Sequence, residues 1–130
     1  MSNELQEEIL TNGISMPKVG MGTYNLNGDL KELLEQAYRA GYRLFDTAAV
    51  YGNESCLGRV LTDWATGGNP FFVTTKLWNQ DQGFSQTLQA FHRSRSRLNL
   101  KVIDLYLMHW PVPGLRLETW RAMESLYMDG

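Results

Sequence analysis

Four side chains in the sequence are of the types that together support acid–base chemistry on a carbonyl group: Asp46, Tyr51, Lys76 and His109. A tyrosine hydroxyl can give a proton to a carbonyl oxygen, and a nearby lysine ammonium favours the phenolate that remains. An aspartate could hold that ammonium charged and oriented. A histidine could donate to the same oxygen or help to transfer the proton. If the fold brings them together, the four residues form a coherent acid system for carbonyl reduction.

Each of these residues also has an ordinary structural interpretation when it is taken alone. Asp46 could cap the turn that follows it, and Tyr51 could pack on a sheet as a loop aromatic. Lys76 could be a solvated strand end, and His109 could be a buried, hydrogen-bonded histidine. The combination favours the chemical interpretation, because several ionisable groups at the ends of different strands are harder to explain separately.

Short apolar strands alternate with amphipathic helices along the chain. The helical segments carry apolar residues every three to four positions, and β-rich runs lie between them. Strands are predicted over 19–22, 42–46, 71–76 and 102–108, after a hairpin over about 8–17 that turns at Asn12-Gly13. Helices are predicted over 29–40, from about 54 to the Gly67-Gly68 stop, from a Ser85 cap through 98, and over 118–128.

This alternation predicts an α/β fold with parallel strands and helical crossovers. Asp46, Lys76 and His109 end the second, third and fourth strands, and Tyr51 lies in the loop after the second. Parallel sheets and barrels place their sites at the carboxyl ends of the strands. We therefore expect the four side chains at one edge of the sheet.

Composition excludes several other classes of protein. The chain has 130 residues, 43% of them hydrophobic and 20% charged, with a formal net charge of −2, as in an ordinary globular domain. That charge predicts no nucleic-acid partner and no anionic membrane partner. Cys56 is the only cysteine, so no intrachain disulfide forms, and no metal site is predicted. No apolar stretch approaches a membrane span, and the acidic start from Met1 to Leu10 does not resemble a secretory signal, so we expect a cytoplasmic protein.

Three motifs resemble those of the aldo-keto reductase family, in the order and at the spacing of that family. Residues 41–58 read GYRLFDTAAVYGNESCLG and resemble its first signature. Residues 74–79, TTKLWN, resemble its catalytic-lysine strand, and residues 103–111, IDLYLMHWP, resemble its histidine strand. In general appearance the sequence is most similar to bacterial 2,5-diketo-gluconate reductase-type members.

The resemblance implies a (β/α)8 barrel with an N-terminal hairpin at its bottom and NADPH-dependent reduction of aldehydes or ketones. It implies that Tyr51 protonates the carbonyl oxygen, that Lys76 paired with Asp46 assists it, and that His109 orients the carbonyl. It implies a cofactor contact by Gly22, Thr23, Tyr24 and Asp46. It also implies a substrate pocket lined by Tyr24, Val50, Trp78, His109 and Trp110.

The length departs from that family, because an eight-unit barrel needs about 250 residues. We expect the hairpin and four βα units, over about 19–128, to form the N-terminal half of a barrel, a fragment whose C-terminal half is absent. Most of the NADPH site would then lie beyond Gly130. The alternative is an inactive half-barrel that associates with another chain, as a homo-oligomer through its open edges, or that binds as a non-enzymatic module.

Overall fold

The computed structural model describes residues 6–26 and 28–130. The chain begins with the predicted hairpin, in which β1 (Glu7–Ile9) pairs antiparallel with β2 (Ser15–Pro17). Its turn includes Gly13 with a φ of 82°, a conformation that glycine adopts without strain. The hairpin prediction is thus confirmed. The expectation of no secretory signal used residues 1–10, and the first five of these lie outside the described residues.

A four-stranded parallel sheet follows the hairpin, in the spatial order β3-β4-β5-β6. The strands are β3 (Gly20–Gly22), β4 (Leu44–Asp46), β5 (Phe72–Leu77) and β6 (Leu105–Met108). The helices that follow them in turn are α1 (Leu30–Arg39), α2 (Glu54–Thr66), α3 (Phe84–Leu98) and α4 (Arg116–Met128). The predicted α/β class and the order of its elements are confirmed. Within 6–26 and 28–130, no helix is long and apolar enough to cross a membrane.

One face of the sheet packs against the helices. Phe45 and Val73 are adjacent in register on β4 and β5, and both are fully buried in the main core. The core is completed by residues of the helices and of the segment before β6: Leu34, Ala37, Leu57, Val60, Leu61, Trp64, Leu98 and Ile103. Since side chains alternate along a strand, Asp46 and Lys76 lie on the opposite face, away from these helices.

Helix starts follow local chemistry, with one correction. Asp29 caps α1 as expected, because its carboxylate accepts hydrogen bonds from the backbone N–H groups of Lys31 and Glu32. The prediction that Ser85 caps α3 was wrong, because the helix begins at Phe84 with Gly83 at the cap position. The backbone N–H of Gly83 instead donates to the Thr119 hydroxyl at 2.9 Å, which ties the start of α3 to α4.

The fourth strand is shorter than its apolar run, since it begins at Leu105 rather than at Val102. Just before β6, a side chain replaces the backbone as hydrogen-bond partner of β5: the Asp104 carboxylate accepts from the backbone N–H of Val73 at 2.8 Å. Burial raises the pKa of Asp104 above its ordinary value, and the hydrogen bond from Val73 opposes that rise. A side chain thus satisfies a β5 donor next to the start of β6.

Helices α2 and α3 approach closely at Gly58. A Cβ atom built there would lie 2.5 Å from the carbonyl oxygen of Arg97 and 2.7 Å from that of Leu98. Backbone atoms cannot move aside as a flexible side chain can. The contact between the two helices therefore requires glycine at this position.

We expect Gly58→Ala to lower the free energy of unfolding by about 1–3 kcal/mol, the usual cost of forcing extra volume into a packed interior. Helix propensity alone predicts the opposite sign, because alanine stabilises a helix interior by about 1 kcal/mol over glycine. Urea unfolding of the purified protein measures the change. Ser96→Ala on the exposed face of α3 is the control, and a Gly58→Ala protein at least as stable as the parent would contradict the close approach.

Candidate active site

The four predicted chemical residues lie at the carboxyl edge of the parallel sheet. Asp46 is the last residue of β4, and Lys76 is the penultimate residue of β5. His109 follows β6 directly, and its backbone N–H donates to the Leu77 carbonyl oxygen at 3.1 Å. Tyr51 ends a 3₁₀ turn, Ala49–Tyr51, in the loop after β4. The expectation that one edge of the sheet gathers these side chains is confirmed.

The Lys76 ammonium joins three groups at this edge. It forms an ion pair with the Asp46 carboxylate, and it donates to the Thr47 carbonyl oxygen at 3.0 Å. It also donates to the Tyr51 hydroxyl at 3.4 Å. The Lys76 side chain is only 15% exposed, so its charge depends on these acceptors rather than on water. Thr47 was missed in the sequence, because a backbone carbonyl leaves no signal in residue type.

Aromatic rings surround the Tyr51 phenol and the His109 imidazole. Their own ring centroids are 5.9 Å apart with a near-perpendicular geometry. Tyr24 lies against Tyr51 at 5.0 Å, Trp78 meets His109 edge-on at 5.2 Å, and Trp110 stacks near His109 at 6.2 Å. The structure thus brings three of the predicted pocket aromatics to the acid–base groups.

Val50 lies to one side of this cluster. Its side chain is exposed, and it lines, together with Trp78, a cavity of about 320 Å³ that reaches Arg93 and Arg97 on α3. Tyr51 and His109 do not line that cavity. Val50 therefore adjoins the site beside Trp78.

The surroundings of His109 favour its neutral imidazole over the charged form. Burial lowers its pKa below the ordinary 6.5, the positive charge of Lys76 lowers it further, and the negative charge of Asp46 opposes both. Its Nδ1 atom is buried and has no hydrogen-bond partner in the part of the chain that the structure describes. A neutral imidazole offers one N–H donor to a ligand oxygen.

Three residues after or at the end of β3 were expected to contact a cofactor, and they differ in accessibility. A Cβ added at Gly22 would meet nothing within 4 Å, so this backbone is open. Tyr24 is 70% exposed. Thr23 is fully buried, and its hydroxyl donates to the Asp46 carbonyl oxygen at 3.0 Å. Gly22 and Tyr24 thus offer surface beside Asp46, whereas Thr23 offers none.

Metal-ligating side chains do not cluster at this edge. Over residues 6–26 and 28–130, no group of three or more histidine, cysteine, aspartate or glutamate side chains could hold a metal ion. The described site therefore consists of a phenol, an ammonium, a carboxylate and an imidazole.

The family model described as "Aldo/keto reductase family" matches residues 18–130. The chain belongs to the aldo/keto reductase family. It is 42% identical to glyoxal reductase of Bacillus subtilis, over 100% of this chain and 48% of that protein. It is 40% identical to methylglyoxal reductase DkgA of Escherichia coli O157:H7, over 93% of this chain and 44% of that protein. The chain thus spans about half the length of the curated relatives it matches.

Solved structures of aldo-keto reductases have the same fold. The enzyme from Brucella melitensis superposes with a TM-score of 0.87 at 39% identity, over 97% of this chain and 49% of that one. A Bombyx mori aldo-keto reductase in complex with NADP gives a TM-score of 0.85 at 32% identity, over 96% and 47%. The hairpin and four βα units are therefore those of half an aldo-keto reductase (β/α)8 barrel, as the sequence motifs implied.

The opposing charges beside His109 predict opposite shifts in two variants. Lys76→Met removes a positive charge and should raise the pKa of His109, whereas Asp46→Asn removes a negative charge and should lower it further. Nitrogen-15 and proton NMR titration of the imidazole measures both, with Arg59→Met on α2 as a distant control. Equal shifts of the same sign in both variants would show that the two charges do not act on His109.

The lowered pKa of His109 also predicts a pH dependence of stability. In the range between its folded pKa and the ordinary value of 6.5, the unfolded chain binds a proton that the folded chain does not. The contribution of His109 to the free energy of unfolding is therefore complete above pH 6.5. It is lost as the pH falls toward the pKa of His109 in the folded chain. Urea unfolding between pH 5 and 7 should show this loss, and His109→Gln should remove that component.

Proposed function

We propose that this site reduces aldehydes or ketones to alcohols with NADPH, and that Tyr51 donates the proton. The observation that carries the proposal is the position of the Lys76 ammonium between the Asp46 carboxylate and the Tyr51 hydroxyl. A carbonyl oxygen that gains electrons needs a proton donor, and a phenol beside an ammonium can give one, because the ammonium stabilises the phenolate that is left. The names of the relatives, glyoxal reductase and methylglyoxal reductase, support the same chemistry.

Each residue of the cluster has a distinct part in this reaction. Tyr51 gives its hydroxyl proton to the carbonyl oxygen and becomes a phenolate. Lys76 holds its charge next to that phenolate, and Asp46 keeps Lys76 charged and in place. Neutral His109 directs its N–H to the carbonyl oxygen, so the substrate is oriented toward Tyr51 without a competing second proton source.

The residues at the end of β3 and β4 fit a nicotinamide cofactor. When bound, NADPH supplies the hydride that reaches the carbonyl carbon. The open backbone of Gly22 and the exposed face of Tyr24 provide a surface beside Asp46 where a flat ring and its ribose can rest. Thr23 lies between these two residues in the chain. Its hydroxyl and its carbonyl oxygen are both hydrogen-bonded within the protein, and so hold the backbone of this surface in place.

The walls of the site indicate a small carbonyl substrate. Trp78, Trp110 and Tyr24 supply apolar faces close to His109 and Tyr51. Such a pocket favours a compact aldehyde or ketone that is oriented by one oxygen. Small dicarbonyl compounds of the kind named in the relatives are suitable test substrates.

We expect Tyr51→Phe to reduce kcat for NADPH oxidation with methylglyoxal by at least 100-fold, because the ring stays and only the proton donor is lost. NADPH affinity, measured by quenching or enhancement of nicotinamide fluorescence, should change less than 3-fold. Tyr42→Phe, just before β4 and at the opposite end of that strand from Asp46, is the matched control. A Tyr51→Phe protein with the parent's kcat would remove Tyr51 from the reaction.

We also propose that the 130-residue chain pairs with a second copy through the open edges of its sheet, strands β3 and β6, and that the same contact covers the apolar side of α4, the helix that follows β6. Leu117, Trp120, Tyr127 and Met128 on this helix are 57–79% exposed, and such a surface favours burial against another chain. Two copies together would supply eight strands. In this alternative, the 130-residue chain is an inactive half-barrel that associates with another chain, rather than an enzyme that acts as a single chain.

Sedimentation velocity should show a dimer of the 130-residue chain, and Trp120→Glu should shift it to the monomer by placing a charge in the contact. Ala65→Glu on the exposed face of α2 is the control, because it adds the same single negative charge. A folded monomer over the whole micromolar range would contradict the pairing.

A further inference from the structure

We propose that Asn53 is a positioning residue that fixes the Tyr51 proton donor against Lys76, an inference that rests on the function proposed above. Asn53 stands two residues after Tyr51, at the cap position of α2. It touches neither Lys76 nor Tyr51 through a hydrogen bond of its side chain. Its effect would therefore pass through the backbone that carries them.

The side chain of Asn53 does not cap α2, although Asn53 occupies the cap position of that helix. Asparagine at a helix cap normally accepts from backbone N–H groups of the first turn. In α2 no side-chain cap bond forms, and only the backbone carbonyl of Asn53 accepts, from the N–H of Leu57 at 3.0 Å. The amide is instead directed away from its own helix and toward the sheet edge.

Asn53 closes the loop that contains Tyr51. Its Oδ1 accepts from the Thr47 hydroxyl at 2.6 Å, which joins the first and last residues of the segment 47–53. The carbonyl oxygen of the same Thr47 accepts from the Lys76 ammonium at 3.0 Å. The bond from Asn53 to Thr47 therefore fixes the segment at the residue that also receives Lys76.

Asn53 also fixes this loop to the neighbouring strand end. Its Nδ2 donates to the Thr23 carbonyl oxygen at 2.9 Å and contacts the Thr23 hydroxyl at 3.3 Å. The Thr23 hydroxyl donates in turn to the carbonyl oxygen of Asp46 at 3.0 Å. One amide thus connects the loops after β3 and β4, and Tyr24 in the first loop packs on Tyr51 in the second.

Burial makes these bonds hard to replace. Thr23 and Thr47 are both 0% exposed, so water cannot take over their bonds if the amide is removed. The segment 47–53 would then relax to find new partners, and the Tyr51 hydroxyl would move relative to Lys76. A displacement of about 1 Å is enough to lower a rate about 100-fold.

The experiment compares Asn53→Ala, Thr47→Val and the double variant with the parent protein. Asn69→Ala is the matched control, because Asn69 is exposed and lies before β5, at the opposite end of that strand from Lys76. The first readout needs no turnover: nitrogen-15 NMR of lysine ammonium groups reports the hydrogen exchange of Lys76. The second is kcat and KM with methylglyoxal across pH, at a temperature where thermal unfolding shows every variant fully folded.

We expect faster exchange of the Lys76 ammonium by at least 10-fold in Asn53→Ala and in Thr47→Val, and no change in Asn69→Ala. We expect kcat to fall 10- to 100-fold with KM within 3-fold, and the pH of half-maximal kcat to move. The double variant should be no worse than Asn53→Ala, because that variant already removes the bond to Thr47 together with the bonds to Thr23.

A folded Asn53→Ala protein with the parent's lysine exchange, kcat and pH profile would overturn the positioning role, since it would show that Asn53 only stabilises the fold. Additive losses in the double variant would overturn the route through Thr47. If the parent protein reduces no carbonyl compound, the proposed function fails. In that case the exchange of Lys76 alone decides whether Asn53 positions it.

Discussion

A largely buried ammonium is the constraint on which the site depends. The charge of Lys76 is stable away from water only if enough acceptors surround it. β4 and its loop supply three of them, the Asp46 carboxylate, the Thr47 carbonyl oxygen and the Tyr51 hydroxyl. Because strand β5 presents the lysine and β4 presents the acceptors, the parallel register between two strands decides whether the group assembles. Burial and, after it, the same positive charge lower the pKa of His109, which follows the next strand.

A second buried charge stands on the other face of the same strand. The Glu54 carboxylate, at the start of α2 and 1% exposed, accepts from the Thr75 hydroxyl at 2.7 Å and from the Arg97 guanidinium at 2.7 Å. Thr75 precedes Lys76, so alternation directs the two side chains to opposite faces of β5. Asn53 and Glu54 are consecutive, and between them they tie the start of α2 to three strands or strand ends. The start of α2 is thus a structural junction as much as the start of a helix.

Periodicity and residue type were sufficient for the order of elements and for the edge where the reactive groups meet, because strand ends in a parallel sheet coincide. They were insufficient where a side chain replaces a backbone partner. Asp104 satisfies a donor of β5, so the last strand begins later than its apolar run indicates. Gly83 rather than Ser85 is the cap residue of α3, and its backbone N–H donates to the Thr119 hydroxyl on α4. Asn53 has the residue type of a helix cap, and only the three-dimensional arrangement shows that its amide binds elsewhere.

The sequential order of the strands in the sheet has a consequence for biosynthesis. Every strand of the parallel sheet after β3 pairs with the strand that was synthesised just before it. Asp46 and Lys76 are 30 residues apart, about 2–6 seconds of translation, and His109 is added only afterwards. The ion pair can therefore form on a nascent chain that still lacks β6. The carboxylate that neutralises Lys76 is thus always synthesised before the lysine itself.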